Sequence, residues 1–154
     1  MKSCPNTNSS SGNGKNRRWS EAHLVQGALR RVEKAGLLAC REVSLLGRCV
    51  DLAFIQQKRL VTVEFKLRNW RKALSQAVDH LLAADHAYVC MPRRVVSDVM
   101  REEFSKVGVG LFFYRGRGDW PFETVIEAPK SMETWSVARS LLLERIRSNQ
   151  REPK

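Results

Sequence analysis

Two charged residues, Glu64 and Lys66, stand two positions apart in the otherwise apolar segment LVTVEFKL, residues 60–67. Successive side chains of an extended strand point to opposite faces, so Glu64 and Lys66 share one face with Thr62. The opposite face carries the apolar residues Val61, Val63, Phe65 and Leu67. An acid and a base in such a strand need solvent, each other, or a task such as holding a metal ion.

Asp51 is a second acid inside an apolar segment, residues 48–55, which also reads as a strand. Alternation puts Cys49 and Ala53 on the face of Asp51, and Val50, Leu52 and Phe54 on the other. If Gln57 and Lys58 form a two-residue hairpin loop, Asp51 lies directly opposite Glu64. Facing carboxylates destabilise a plain sheet unless a cation lies between them or one carboxylate keeps its proton.

Glu21 is a third acid, placed at the start of a helix that Ser20 caps and Gly36 ends. The apolar stripe of this helix comprises Leu24, Val25, Ala28, Val32 and Ala35. Glu21 lies one turn before Val25, at the angular centre of the stripe, so it points toward the core or toward a pocket at its edge. The alternative is an acid favoured in a first helical turn by the helix dipole.

The remaining elements predict an α/β fold with a mixed sheet. A helix over residues 70–84 has an apolar stripe and, on one flank, Gln76 and His80 at i, i+4 spacing. Residues 86–91 predict a strand buried on both faces and parallel to its neighbour. The order α-β-β-β-α-β-α-β-β-α is completed by a helix over 93–106, strands over 109–114 and 122–127, and a helix over 131–147.

Composition indicates one soluble domain that binds polyanions. The chain has 154 residues, with 27 Lys and Arg against 16 Asp and Glu, which gives a net charge of +11. This balance makes nucleic acid the leading class of partner. No apolar run has the length of a membrane-spanning helix, so we expect no membrane partner and a cytoplasmic location. Residues 1–18 are predicted to be a disordered basic tail, and residues 19–150 a single domain.

The chain resembles the PD-(D/E)xK nuclease superfamily, which has the restriction-endonuclease-like fold. The residues that carry the resemblance are Val50-Asp51 and, after the twelve residues 52–63, Glu64-Phe65-Lys66. Glu21 matches the acid often found in the first helix of the family. Gln76 resembles the glutamine of the Q-x-x-x-Y motif of RecB-like and λ-exonuclease-like members, and Holliday-junction-resolvase-like members are a further branch to consider. The chain has Val50 at the proline of the motif and His80 at the tyrosine.

The resemblance implies a core of α-β-β-β-α-β order, a mixed central sheet flanked by helices on both faces, and a metal-dependent nuclease activity. Asp51, Glu64 and the Phe65 carbonyl would bind Mg²⁺ or Mn²⁺. Lys66 would position or activate water, and Glu21 would hold a second ion or its water. Gln76 would contact the water or the scissile phosphate. Hard oxygen ligands of this kind suit Mg²⁺.

DNA is the predicted substrate, although the sequence does not exclude RNA. Candidates for nucleic-acid contacts are Arg68, Trp70, Arg71, Arg93 and Arg94. For Trp70 the alternative is core packing. A homodimer is compatible with this prediction, since so small a catalytic domain commonly needs a second copy or a partner to grip a duplex. Two rival functions share the same features: a catalytically inactive nucleic-acid-binding module on this fold, and a basic protein-interaction module.

Overall fold

The computed structural model describes residues 19–150, and the predicted basic tail over residues 1–18 lies outside them. The protein is a mixed α/β structure with one six-stranded sheet and four helices in this range. In chain order the elements are α1 (Glu21–Lys34), β1 (Ala39–Leu45), β2 (Arg48–Gln56), β3 (Arg59–Phe65), α2 (Trp70–His80), β4 (His86–Met91), α3 (Asp98–Val107), β5 (Gly110–Tyr114), β6 (Phe122–Ile126) and α4 (Ser136–Asn149).

The strands follow one another across the sheet in the order β1-β2-β3-β4-β5-β6. β1, β2 and β3 are antiparallel neighbours, β3, β4 and β5 are parallel, and β6 returns antiparallel at the far edge. The parallel pairs are joined through α2 and α3, as a parallel connection requires. The predicted fold class and order of elements are therefore confirmed.

Helices cover both faces of the sheet. α1 packs on one face, over a core that includes Leu24, Val63 and Phe65. The other face is covered by α2 and α3 next to β4 and β5, and by α4 next to β1 and β2. Both faces of β3 are therefore buried from Leu60 to Phe65, which explains its nearly continuous apolar sequence.

Helix boundaries differ from the prediction where a capping residue decides them. α1 begins as predicted, because the Ser20 hydroxyl accepts a hydrogen bond from the His23 N–H at 3.1 Å. α3 begins at Asp98 and not near residue 93, because Ser97 caps it and Pro92 lies at the end of β4. α2 ends at His80, four residues earlier than expected.

One predicted alternation fails in β2. Val50 packs with Ala53 in the core beneath α4, whereas Leu52 and Phe54 pack beneath α1. The pairing of β1 with β2 skips Glu42 and Asp51, and Glu42 has a φ of 52°. This local kink turns Val50 to the other face and leaves Asp51 outside the ladder.

Candidate functional site

The candidate site lies at the carboxyl end of β3, where β2 and β3 separate. The predicted alternation of β3 is confirmed: Val61, Val63 and Phe65 join the core under α1, and Thr62 and Glu64 lie on the other face. Helices cover that second face too, so Glu64 is only 6% exposed. The acid is therefore not a solvated surface residue.

The hairpin between β2 and β3 has the register that brings Asp51 to Glu64. Pairs run from Gln56↔Arg59 to Leu52↔Val63 around the predicted two-residue turn. The next position in this register is Asp51 with Glu64, but there the ladder stops. The Asp51 carboxylate replaces the ladder bond, since its Oδ2 accepts a hydrogen bond from the Phe65 N–H at 2.8 Å.

The carboxyl groups of Asp51 and Glu64 lie close enough to interact, and a hydrogen bond between them requires that one of them keeps its proton. Burial and, after it, the neighbouring charge of Asp51 raise the pKa of Glu64 to about 9. Burial also raises the pKa of Asp51, although the Phe65 N–H opposes this. Because both pKa values are raised, the pair favours holding one proton when no cation is bound.

An unsatisfied oxygen marks the pair as a candidate cation site. Glu64 Oε2 is buried and has no hydrogen-bond partner. In an extended strand the N–H and C=O of one residue face the same neighbour, so the Phe65 carbonyl faces the same side as its N–H, toward Asp51. Two carboxylates and a main-chain carbonyl are hard oxygen donors, and Mg²⁺ uses few such protein ligands because it keeps several waters. The donor set fits the predicted ion.

Lys66 and Glu21 meet beside the acid pair. Lys66 Nζ lies 3.7 Å from Glu21 Oε1, and the two side chains keep 18% and 32% of their exposure. The positive charge of Lys66 opposes the rise in the pKa values of both Asp51 and Glu64, so its ammonium group lies within electrostatic range of the pair. Four of the five predicted catalytic residues therefore come together from α1, β2 and β3.

Gln76 does not join this group. It lies on the exposed side of α2, and within residues 19–150 it forms no hydrogen bond with the acids or Lys66. Gln76 and His80 have the expected i, i+4 spacing on α2, but their burial differs: Gln76 is exposed, whereas His80 is only 2% exposed. Burial lowers the pKa of His80 to about 4, so the ring is neutral and packs as a core residue.

The candidates for nucleic-acid contacts divide into paired and unpaired residues. Trp70 is buried against Phe104, with the Arg71 guanidinium over its ring, which corresponds to the core-packing alternative. Arg71 also approaches Glu103 at 3.7 Å, and Arg93 pairs with Glu123. Arg68 and Arg94 are exposed and form no salt bridge with an acid of the described chain.

Sequence reasoning did not find the hydrogen bond between Asp51 and the Phe65 N–H, because this bond forms only where the pairing of β2 with β3 ends.

Within residues 19–150, no cluster of three or more His, Cys, Asp or Glu side chains is arranged to hold a metal. A cavity of about 600 Å³ lies at the other end of the sheet, lined by rings that include Tyr88 and Trp120. None of the predicted site residues lines it.

Comparisons with known proteins show a likeness to two solved structures. No protein-family model and no curated protein sequence matches it. It is similar to the structure of an XisH family protein from Nostoc punctiforme, with 18% identity over 68% of this chain and 97% of that one, at a TM-score of 0.48. It is similar, with the same identity and coverage, to an FdxN element excision controlling factor protein from Anabaena variabilis, at a TM-score of 0.49. In the described range, the structure has no helix with the length and apolar character needed to cross a membrane.

Proposed function

We propose that this protein is a metal-dependent nuclease that hydrolyses DNA phosphodiester bonds, with Asp51, Glu64 and the Phe65 carbonyl holding Mg²⁺ or Mn²⁺. The observation that carries the proposal is the buried pair of carboxyl groups of Asp51 and Glu64, with Glu64 Oε2 left without a partner. The Lys66–Glu21 ion pair lies next to it.

A structural role explains this arrangement poorly. Buried acids that serve stability are paired with bases or fully hydrogen bonded, because an unpaired buried polar atom costs about 1–3 kcal/mol. Here two acids face each other and one oxygen is unsatisfied. A divalent cation between the carboxylates would remove their mutual repulsion and give the unsatisfied oxygen of Glu64 a partner. The bound cation would also neutralise the negative charge of the phosphodiester during hydrolysis.

The residues of the chain would then have separate tasks. Lys66, partly exposed at the edge of the pair, would donate a hydrogen bond that positions the attacking water. Glu21 would orient Lys66 through their ion pair, while the predicted role of Glu21 toward a second ion stays a prediction. Gln76 keeps its predicted role only if α2 presents it to bound DNA, since in the described residues it is exposed and forms no hydrogen bond with the acids.

DNA suits the charge of the whole chain and of this edge. The net charge is +11, and the exposed, unpaired Arg68 follows β3 within four residues of Glu64. Arg94 follows β4 at the same edge. Cationic side chains of this kind neutralise phosphates and place the backbone without reading sequence.

The direct test is cleavage of supercoiled, linear and single-stranded DNA in Mg²⁺ or Mn²⁺. We expect cleavage that EDTA abolishes and that Asp51→Ala reduces at least 100-fold, roughly the loss of one charge-stabilising group. Asp79→Ala is the matched control, since Asp79 is a partly exposed acid of α2 that pairs with Arg48 of β2. Activity that survives Asp51→Ala would overturn the site. DNA binding without cleavage in either cation would leave the inactive binding module instead.

A further inference from the structure

The loop between β5 and β6, residues 115–121, carries Arg115 and Arg117 close to the candidate site. β3, β4 and β5 are parallel, and the pairs Phe65↔Cys90 and Cys90↔Phe112 align their carboxyl ends. Neighbouring strands lie about 4.8 Å apart, so the loop starts about 10 Å across the edge from the end of β3. That separation spans about three base pairs of duplex DNA.

Direct contacts connect this loop with the start of α1. Trp19 packs edge-on against Tyr114, with ring centroids 5.2 Å apart. A Cβ at Gly116 would lie only 3.2 Å from the Trp19 ring, so the loop touches Trp19 closely. Two residues further on, Glu21 pairs with Lys66. A continuous series of contacts therefore runs from the loop to the edge of the acid pair.

Arg31 fixes the position of the loop. Its Nη1 donates to the Arg115 carbonyl at 2.6 Å and to the Gly118 carbonyl at 3.5 Å. Its guanidinium also lies 5.0 Å from the centre of the Tyr114 ring. Because Arg31 binds main-chain carbonyls, it holds the loop without using the charges of Arg115 and Arg117.

Arg115 and Arg117 keep their charges available. Residues 115–119 are all exposed, and neither arginine forms a salt bridge with an acid in the part of the chain that the structure describes. Arg93 differs, since Glu123 neutralises it. Asp119 is the one acid of the loop, so the loop carries a net charge of 2 − 1 = +1.

We infer that the loop over residues 115–121 is a second anchor for the DNA backbone, in which Arg115 and Arg117 bind phosphates and Arg31 is the positioning residue. This inference rests on the proposed function, because it names where the same DNA continues beyond the acid pair. The DNA backbone would cross the carboxyl ends of β3, β4 and β5, the side of an open α/β sheet where ligands bind.

The test measures binding of a fluorescein-labelled 20-base-pair duplex in EDTA, between 50 and 200 mM salt, so that no cleavage occurs. The slope of log K against log salt is negative, and each lost phosphate contact reduces its magnitude by about 0.9. We expect Arg115→Gln/Arg117→Gln to reduce the magnitude of the slope by about 2. Lys58→Gln/Lys106→Gln is the matched control, since it removes two exposed lysines from the opposite end of the sheet. We expect the control to leave the slope unchanged.

The positioning role of Arg31 is tested by a separate variant in the same binding assay. Arg31→Gln should weaken binding and reduce the magnitude of the slope, and adding it to Arg115→Gln/Arg117→Gln should produce no further loss, because the residues act as one unit. Equal slopes for the loop variant and the control would overturn the inference, whatever the nuclease assay gives. A slope of reduced magnitude in a protein that cleaves no DNA would keep the anchor and reject the proposed hydrolysis.

Discussion

Glu64 is the residue at which stability and the proposed chemistry conflict. Its side chain is buried opposite another acid, so the folded protein holds a proton that the unfolded chain releases at ordinary acidic pH. Without a cation, the stability of the folded state therefore falls as pH rises. A residue retained under such conditions is a candidate for function.

The first prediction is that Glu64→Gln stabilises the protein without metal and removes part of its pH dependence. The pKa of Glu64 is raised from 4.5 to about 9, so across this window the folded state binds more protons than the unfolded state. The free energy of unfolding therefore falls as pH rises, by up to about 1.4 kcal/mol per pH unit. Glutamine keeps the shape and a donor to Asp51 but has no proton to lose.

Chemical denaturation in EDTA at several pH values between 5 and 9 measures this effect. Glu102→Gln is the control, because Glu102 is an exposed acid on α3 whose loss should leave the slope with pH unchanged. The explanation fails if Glu64→Gln and the wild type lose stability in parallel as pH rises.

At the level of single residues, the sequence predicted which face of β3 each side chain occupies. Parity alone separated Glu64 from Val63 and Phe65, and the structure agrees. Helical spacing placed Gln76 and His80 on one flank but could not predict their different burial, because it does not say how far the neighbouring strands extend over a helix. His80 is buried by those neighbours, and Gln76 is not.

The β2–β3 hairpin shows how far an element can be predicted. Its register followed from the two-residue turn at Gln57 and Lys58, although neither residue is the usual asparagine or glycine. Both adopt positive φ, 50° and 64°, which is the backbone of a type I′ turn. The separation of the strands at Asp51 could not be predicted, because it arises with the kink at Glu42 in β1, a tertiary feature.

α1 depends on a glycine for its position over the sheet. A Cβ at Gly27 would lie 2.3 Å from Tyr114 Oη, and Arg31 donates to the Gly27 carbonyl at 3.2 Å. Helix propensity favours alanine over glycine by about 1 kcal/mol. The local and tertiary preferences therefore oppose each other here.

The second prediction is that Gly27→Ala destabilises the protein by about 1–3 kcal/mol, against helix propensity, because the methyl group overpacks the contact with Tyr114. Tyr114→Phe removes the clashing oxygen and leaves the ring carbon at an ordinary 3.5 Å. We expect the Gly27→Ala/Tyr114→Phe double variant to regain the loss. Thermal unfolding of the four proteins measures the coupling, and additive effects would show that this contact does not set the position of α1.

Across the whole molecule, β3 is held at both ends by carboxylates that accept hydrogen bonds from its main chain. Asp51 accepts from the Phe65 N–H, and Asp85 accepts from the Leu60 N–H, both at 2.8 Å. The partners differ. Asp85 also accepts from Arg139 of α4 at 3.1 Å, whereas Asp51 faces a second acid.

The two ends therefore differ in their electrostatics. Burial by itself would raise the pKa of Asp85, but the Arg139 hydrogen bond and the Leu60 N–H lower it overall. Its contribution to stability is present above the ordinary pKa of 3.8 and is lost as pH falls below it. The Asp51–Glu64 end shows the opposite direction, since both pKa values are raised. One end of β3 stabilises the fold, and the other is the end at which we propose that a cation binds.

The third prediction compares the two ends by the same substitution. Asp85→Asn should cost about 2 kcal/mol of unfolding free energy, because it leaves Arg139 without its anion, yet it should keep DNA cleavage. Asp51→Asn should leave stability unchanged or higher, because the amide oxygen still accepts from the Phe65 N–H and the amide NH2 donates to Glu64, so that the pair no longer needs to hold a proton, yet it should abolish cleavage. Denaturation in EDTA measures the change in stability, and cleavage in Mg²⁺ measures the change in activity.

Loss of cleavage in Asp85→Asn at a temperature where the variant remains folded would mean that the Asp85 end of β3 is also needed for the Asp51–Glu64 site. Equal losses of stability in both variants would mean that Asp51 serves the fold, and the case for a cation at Glu64 would then lose its physical basis.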